Sequence, residues 1–166
     1  KDGTFELLAT RPITDWGIVT GKFLAAVSIV LLTLIPTLIY YFTVYQLGVV
    51  KGNIDTGAVI GSYIGLILLG TAFVSLGLFA SSLGKNQVIA FTIAVFLCFL
   101  FFSGFGSLSQ LVSVQGFSSY LTELGINQHY QSIGRGVLDT RDFIYFLSFC
   151  ILFLLLTKTV LGSRKW

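Results

Sequence analysis

The residues best suited to chemistry stand together just ahead of the last apolar run. His129 is the only histidine of the chain, and Arg135, Asp139, Arg141 and Asp142 follow it within one short polar stretch. Two guanidiniums and two carboxylates this close suggest either a solvated, locally neutralised ion-pair cluster or a gate that meets a substrate. A zinc site needs several thiolates or imidazoles that converge. His129 has no cysteine or second histidine near it, so it reads as a polar interface histidine, and no metal is expected. The other signs are negative. No Gly-x4-Gly-Lys-Ser/Thr loop is present to cradle phosphates, so the chain is not expected to hydrolyse ATP or to be an enzyme by itself. Gly104-Phe105-Gly106 has the look of a glycine pair but follows no strand pattern and reads as a helix end. Cys98 and Cys150 lie inside apolar runs and read as buried thiols rather than a disulfide framework. No catalytic residue is expected.

The elements that must position these residues are apolar. Of the 166 residues, 55% are hydrophobic and only 10% charged, with a mean hydropathy of +0.90. A soluble domain carries about 25% charged residues. No charge occurs in residues 23–50, 56–84, 86–122 or 143–157, and a membrane span needs about 20 apolar residues. The chain therefore reads as an all-α polytopic membrane protein with four spans, at about 23–50, 58–83, 88–105 and 143–161. A soluble enzyme is excluded, and a net charge of +3, scattered along the chain, gives no basis for a nucleic-acid partner. There is no methionine, and the chain starts Lys1-Asp2-Gly3-Thr4 without a signal-peptide pattern. That start suggests the C-terminal part of a longer protein.

Residues 1–22 read as two short helices on the membrane surface, with Thr4 capping the first, Pro12 stopping it and Thr14 capping the second. Pro36 is the expected kink of the first span. Gly57, Gly61 and Gly65 are four apart, a spacing that lets helix backbones approach closely, either inside the chain or across a subunit interface. Residues 106–142 form the segment between the last two spans, and 106–120 read as a re-entrant or interface-lying hairpin. Four spans put both termini on one side. That side holds Lys1, Arg11, Lys22, Lys85, Lys158, Arg164 and Lys165, against Lys51, Arg135 and Arg141 on the other, which makes the termini cytoplasmic. Ionisable residues are missing from the span interiors, so energy for any transport is expected from a partner rather than from a buried proton relay.

Two stretches resemble a known family. Gly3-Thr4-Phe5-Glu6-Leu7-Leu8, then Pro12-Ile13-Thr14-Asp15-Trp16 and Gly21-Lys22-Phe23, resemble the cytoplasmic loop of ABC-2 type transporter permeases. His129-Tyr130-Gln131-Ser132, followed by Arg135-Gly136-Val137-Leu138-Asp139-Thr140-Arg141-Asp142 and Tyr145-Phe146-Leu147, is similar to the segment before their last span, in wording closest to the gliding-motility branch. The resemblance implies a permease subunit of an ATP-driven exporter in the bacterial inner membrane. It implies that residues 1–22 hold a coupling helix, with Thr4, Phe5, Glu6, Leu7 and Leu8 docking on an ATP-binding subunit and Arg11 and Pro12 at the end of that surface. ATP and magnesium would sit on that partner, and no cofactor on this chain. A second permease subunit, identical or not, would complete the path through the bilayer. Family members carry six spans, two of them ahead of the coupling helix. A membrane scaffold that recruits a cytoplasmic partner without transport, and a channel or secondary transporter, remain the alternatives.

Overall fold

In the computed structural model, residues 14–48, 54–111, 115–137 and 139–163 are described. All their regular structure is helical: α1 (Asp15–Leu34), a 3-10 turn (Ile35–Thr37), α2 (Leu38–Leu47), α3 (Thr56–Leu83), α4 (Gln87–Phe99), a π segment (Leu100–Gly104), α5 (Phe105–Leu111), α6 (Gln115–Leu124), α7 (Ile126–Gly134) and α8 (Thr140–Ser163). Four stretches among them are long and apolar enough to cross a bilayer: Asp15–Leu47, Thr56–Leu83, Gln87–Gln110 and Thr140–Ser163. The all-α, four-span reading holds.

Local chemistry explains where the helices start and stop. The Thr14 hydroxyl accepts from the Gly17 N–H at 3.3 Å, Asp55 from Ala58 at 3.0 Å and Asn86 from Ile89 at 2.8 Å, each filling one of the orphan donors of a helix N-terminus. From Asp15 the helix runs unbroken into the span, so residues 15–22 are its first turns rather than a separate surface helix. Gly21 and Lys22 do not break it, since a lone helical glycine costs only about 1 kcal/mol. Pro36 lies in the 3-10 turn, where Thr37 Oγ1 donates to the Leu34 carbonyl at 2.6 Å and lies 3.1 Å from the Tyr63 hydroxyl of α3. The proline interrupts the backbone ladder, and a side chain takes up a carbonyl freed there.

The third span also differs from the sequence reading. It continues past Phe105 as α5 instead of turning back at Gly106. Its polar residues satisfy themselves along the helix, Ser107 Oγ donating to the Ser103 carbonyl at 3.1 Å and Ser109 Oγ to the Gly106 carbonyl at 2.7 Å. Such back-bonding removes the need for water.

Helix α3 is the hub, packed against α1, α4, α7 and α8. The core joins Ala72 and Leu76 of α3, Ile126 and Ile133 of α7, and Phe146, Phe149, Cys150 and Phe153 of α8. Phe101 of the π segment stacks edge-on against Phe149 (5.1 Å between ring centroids) and Phe153 (5.5 Å), while Phe102 meets Phe73 of α3 (6.2 Å) and Tyr130 of α7 (6.5 Å). Each pair contributes about 0.5–1.5 kcal/mol beyond its buried area. The outer faces of α1, α2 and α4 remain exposed and apolar. At the other end of the bundle, Lys158 of α8 lies 5.0 Å from the Trp16 ring of α1, a cation–π contact.

The close approach of α7 to α3 depends on glycine. A Cβ at Gly61 would stand 2.5 Å from the Ile133 carbonyl oxygen and 2.9 Å from Gly136 Cα, both backbone atoms. At Gly65 the neighbours are Tyr130 and Ile133 side chains at 3.3–3.4 Å, and at Gly57 only its own helix cap, Asp55 Oδ1 at 3.3 Å. The glycine row thus receives α7, a short helix of the segment between the last two spans. Gly136 completes the approach: it ends α7 with φ +81°, its N–H donating to the Ile133 carbonyl at 2.9 Å. A Cβ there would be strained by the left-handed backbone and would press on Gly57 and Ala58.

Gly61→Ala should therefore lower stability in detergent by about 1–3 kcal/mol, measured by denaturant unfolding, whereas Gly65→Ala, facing movable side chains, should cost clearly less. Equal effects at the two positions would contradict this packing.

Candidate functional site

The polar residues singled out ahead of the last span come together where α6, α7 and α8 meet. Asp139 precedes α8, and its Oδ1 accepts from the Arg141 N–H at 2.9 Å, a helix cap that commits one carboxylate oxygen to the backbone. Asp142 then falls in the first turn of α8, where the helix dipole favours an anion. His129 projects from the middle of α7, and the two meet: Nδ1 of His129 lies 2.6 Å from Asp142 Oδ1. The residues are 13 positions apart in the chain, so only the turn after Gly134 brings them together.

The second nitrogen of His129, Nε2, lies 2.9 Å from the Glu123 carbonyl oxygen. A carbonyl only accepts, so Nε2 carries a hydrogen and donates. The next carbonyl of the chain, that of Leu124, accepts from the Tyr145 hydroxyl at 2.7 Å. Both belong to the last turn of α6, whose carbonyls have no partner within their own helix. The Tyr145 ring in turn stacks on the His129 imidazole, 4.0 Å between centroids and 20° between planes. One histidine and one tyrosine so tie the end of α6 to α7 and α8. The 2.6 Å hydrogen bond between His129 Nδ1 and Asp142 Oδ1 completes the knot.

Asp142 is only 6% exposed. Its second oxygen, Oδ2, is buried without a hydrogen-bond partner. Within this cluster the contact between an acidic and a basic side chain is His129–Asp142, so the expected mutual neutralisation of Arg135, Asp139, Arg141 and Asp142 is not formed. Arg135 turns back on its own helix, Nε donating to the Gln131 carbonyl at 3.2 Å. Neither Arg135 nor Arg141 is paired with a carboxylate among the described residues. All of these groups face a cavity of about 690 Å³, and Arg135 also borders a second one of about 400 Å³ beneath the π segment. No group of His, Cys, Asp and Glu among the described residues could hold a metal ion.

Tyr145 entered the sequence reading only within the family resemblance, with no part in the site, and the Glu123 and Leu124 carbonyls did not enter it. Tyr145 stands three residues after Asp142 on one face of α8, a signal that was available. Backbone acceptors leave no trace in residue types. Thr4, Phe5, Glu6, Leu7, Leu8, Arg11 and Pro12, assigned by resemblance to a coupling surface, lie outside the described residues.

Removing one member of the pair leaves a buried polar group without its hydrogen-bond partner. His129→Ala should lower unfolding free energy by about 3 kcal/mol, and the double variant His129→Ala/Asp142→Ala should cost less than the sum of the single changes by about 1–2 kcal/mol. Denaturant unfolding in detergent gives all three values, and strict additivity would remove the pair from the account.

A family model described as "ABC-2 family transporter protein" matches residues 1–165. No curated protein matches the chain, and no solved structure does. With the match covering nearly every residue, and with four helices able to cross a bilayer, the chain belongs to the ABC-2 transporter family as a multi-pass membrane permease component.

Proposed function

We propose that this chain is the permease subunit of an ATP-driven exporter of the gliding-motility type represented by GldF, in the bacterial inner membrane with both ends of the chain cytoplasmic. The observation that carries the reading is the family match along residues 1–165. Three further features support it. The cationic side chains distribute seven to three in favour of the side holding the termini, as the positive-inside rule asks of a cytoplasmic face. The Gly-Thr-Phe-Glu-Leu-Leu segment at 3–8 resembles the coupling helix of such permeases. The carboxylate at the head of the last span, Asp142, is held by His129, which favours an external source of energy over a carboxylate relay.

On this reading ATP and magnesium bind a separate subunit, and closure of its dimer moves residues 4–8. A short helix transmits such motion when its apolar anchors are held in a groove. Phe5 and Leu8, three apart, share a face and serve as those anchors, Glu6 meets a basic group of the ATPase, and Arg11 and Pro12 end the docking surface. A second permease copy or a related subunit completes the translocation path. Within the segment between the last two spans, His129, Arg135, Asp139, Arg141 and Asp142 form the gate on the side away from the ATPase.

Phe5→Asp puts a charge where an apolar anchor docks and should cost about 2 kcal/mol of binding, roughly a thirtyfold loss of affinity for the ATP-binding subunit. Glu6→Arg should uncouple ATP hydrolysis from transport while the spans stay inserted. Both are read in proteoliposomes holding the assembled complex. Full activity in both variants would exclude residues 4–8 as the coupling element.

A further inference from the structure

The knot of α6, α7 and α8 closes around two hydrogens. Nε2 of His129 lies 2.9 Å from the Glu123 carbonyl oxygen, and Nδ1 lies 2.6 Å from Asp142 Oδ1. A carbonyl only accepts, so Nε2 carries a hydrogen. The 2.6 Å contact needs a second hydrogen, whichever of its two atoms holds it. Imidazole and carboxyl together therefore hold two when the knot is closed. Separated in water above about pH 6.5, an imidazole holds one hydrogen and a carboxylate none. In that range closing the knot takes up a proton, and opening it releases one.

The surroundings leave that hydrogen count to set the sign. Glu123 of α6, Arg135 at the end of α7, and Asp139 and Arg141 before α8 line the same cavity as the pair, two charges of each sign. Tyr120 and Tyr145 add phenols, which ordinarily titrate at about pH 10. Helices α1 and α3 and the π segment, also packed against α7 or α8, contribute no residue to this cavity. His129 is the only histidine of the chain, and its side chain, 18% exposed, gives protons a way in from the cavity. What the pair holds is the last turn of α6, a helix of 10 residues. A helix that short does not persist by itself in water.

We propose that the His129–Asp142 contact is a proton-dependent latch, which fastens the last turn of α6 to α7 and α8 near neutral pH and releases it as pH rises. One proton separates the closed form from the open one, so the opening constant rises up to about tenfold for each pH unit. Release frees the Glu123 carbonyl and lets α6 draw away from the cavity that it walls. The latch follows from these contacts alone and is independent of the ATP-driven reading.

Hydrogen exchange of the full-length protein in nanodiscs tests it, read by mass spectrometry over the last turn of α6 and corrected for the intrinsic rate at each pH. The opening constant should rise up to about tenfold per pH unit between about pH 7 and 9. In Asp142→Asn the side-chain amide donates to a bare Nδ1 while Nε2 still serves the Glu123 carbonyl. Closing then needs no proton, and the opening constant should stay level over the same range. If Asp142→Asn does not fold, His129→Gln, which has no titrating group, should abolish the slope instead. A wild-type opening constant that stays level would overturn the latch. So would a slope that persists in either folded variant, the outcome expected if the pair served packing alone.

Discussion

A carboxyl group buried where a helix enters the apolar layer must be answered by a hydrogen-bonding partner or it forces the helix out of place. Asp142 is that carboxylate, and His129 answers it at 2.6 Å. The histidine reaches it because α7 lies directly on α3, and α7 lies there because Gly61 offers no side chain to the Ile133 carbonyl. The left-handed Gly136 then turns the chain from α7 toward α8. The same histidine and Tyr145 take up the terminal carbonyls of α6. Glycine packing, helix ends and ion pair thus form one arrangement, in which each part supplies a condition for the next.

The arrangement bears on the source of energy. Near the two ends of the last span, Asp142 is committed to His129 and Lys158 lies over Trp16. Helix α8 is therefore anchored at both ends, to α7 at one and to α1 at the other, with an aromatic row between. Residues 1–13 immediately precede α1 in the chain, so under the proposed function a displacement of the docking segment would act on the head of α1 and, through Trp16, on the tail of α8. Such transmission needs elements that move as packed bodies, and the core of α3, α7 and α8 is built in that way.

Much of the fold was legible because the bilayer imposes a coarse rule: charge-free stretches of sufficient length become spans. Pro36 and the caps at Thr14, Asp55 and Asn86 were equally open to local reading or follow from residue chemistry at helix ends. Two boundaries were not. Lys22 suggested a break between surface and membrane, yet one charge near an interface does not stop a helix. Gly104, Gly106 and the serines after them suggested a turn, yet the hydroxyls bond back to their own helix and the π segment carries the chain through. In the site, His129 and Asp142 stood out by residue type, while their pairing depended on a turn geometry set by Gly136. The carbonyls they share the site with have no signature at all. The expected guanidinium–carboxylate network failed because one carboxylate capped a helix and the other took the histidine.

The central functional claim is that this permease component works through a separate ATP-binding subunit seated on residues 4–8. Co-purification from membranes, comparing the intact protein with one lacking residues 4–8, tests it most directly. The account predicts that the ATP-binding subunit accompanies the intact protein and is lost on deletion, with the deleted form still membrane-inserted. An ATP-binding subunit retained at equal stoichiometry after deletion, or absent from the intact protein, would contradict it.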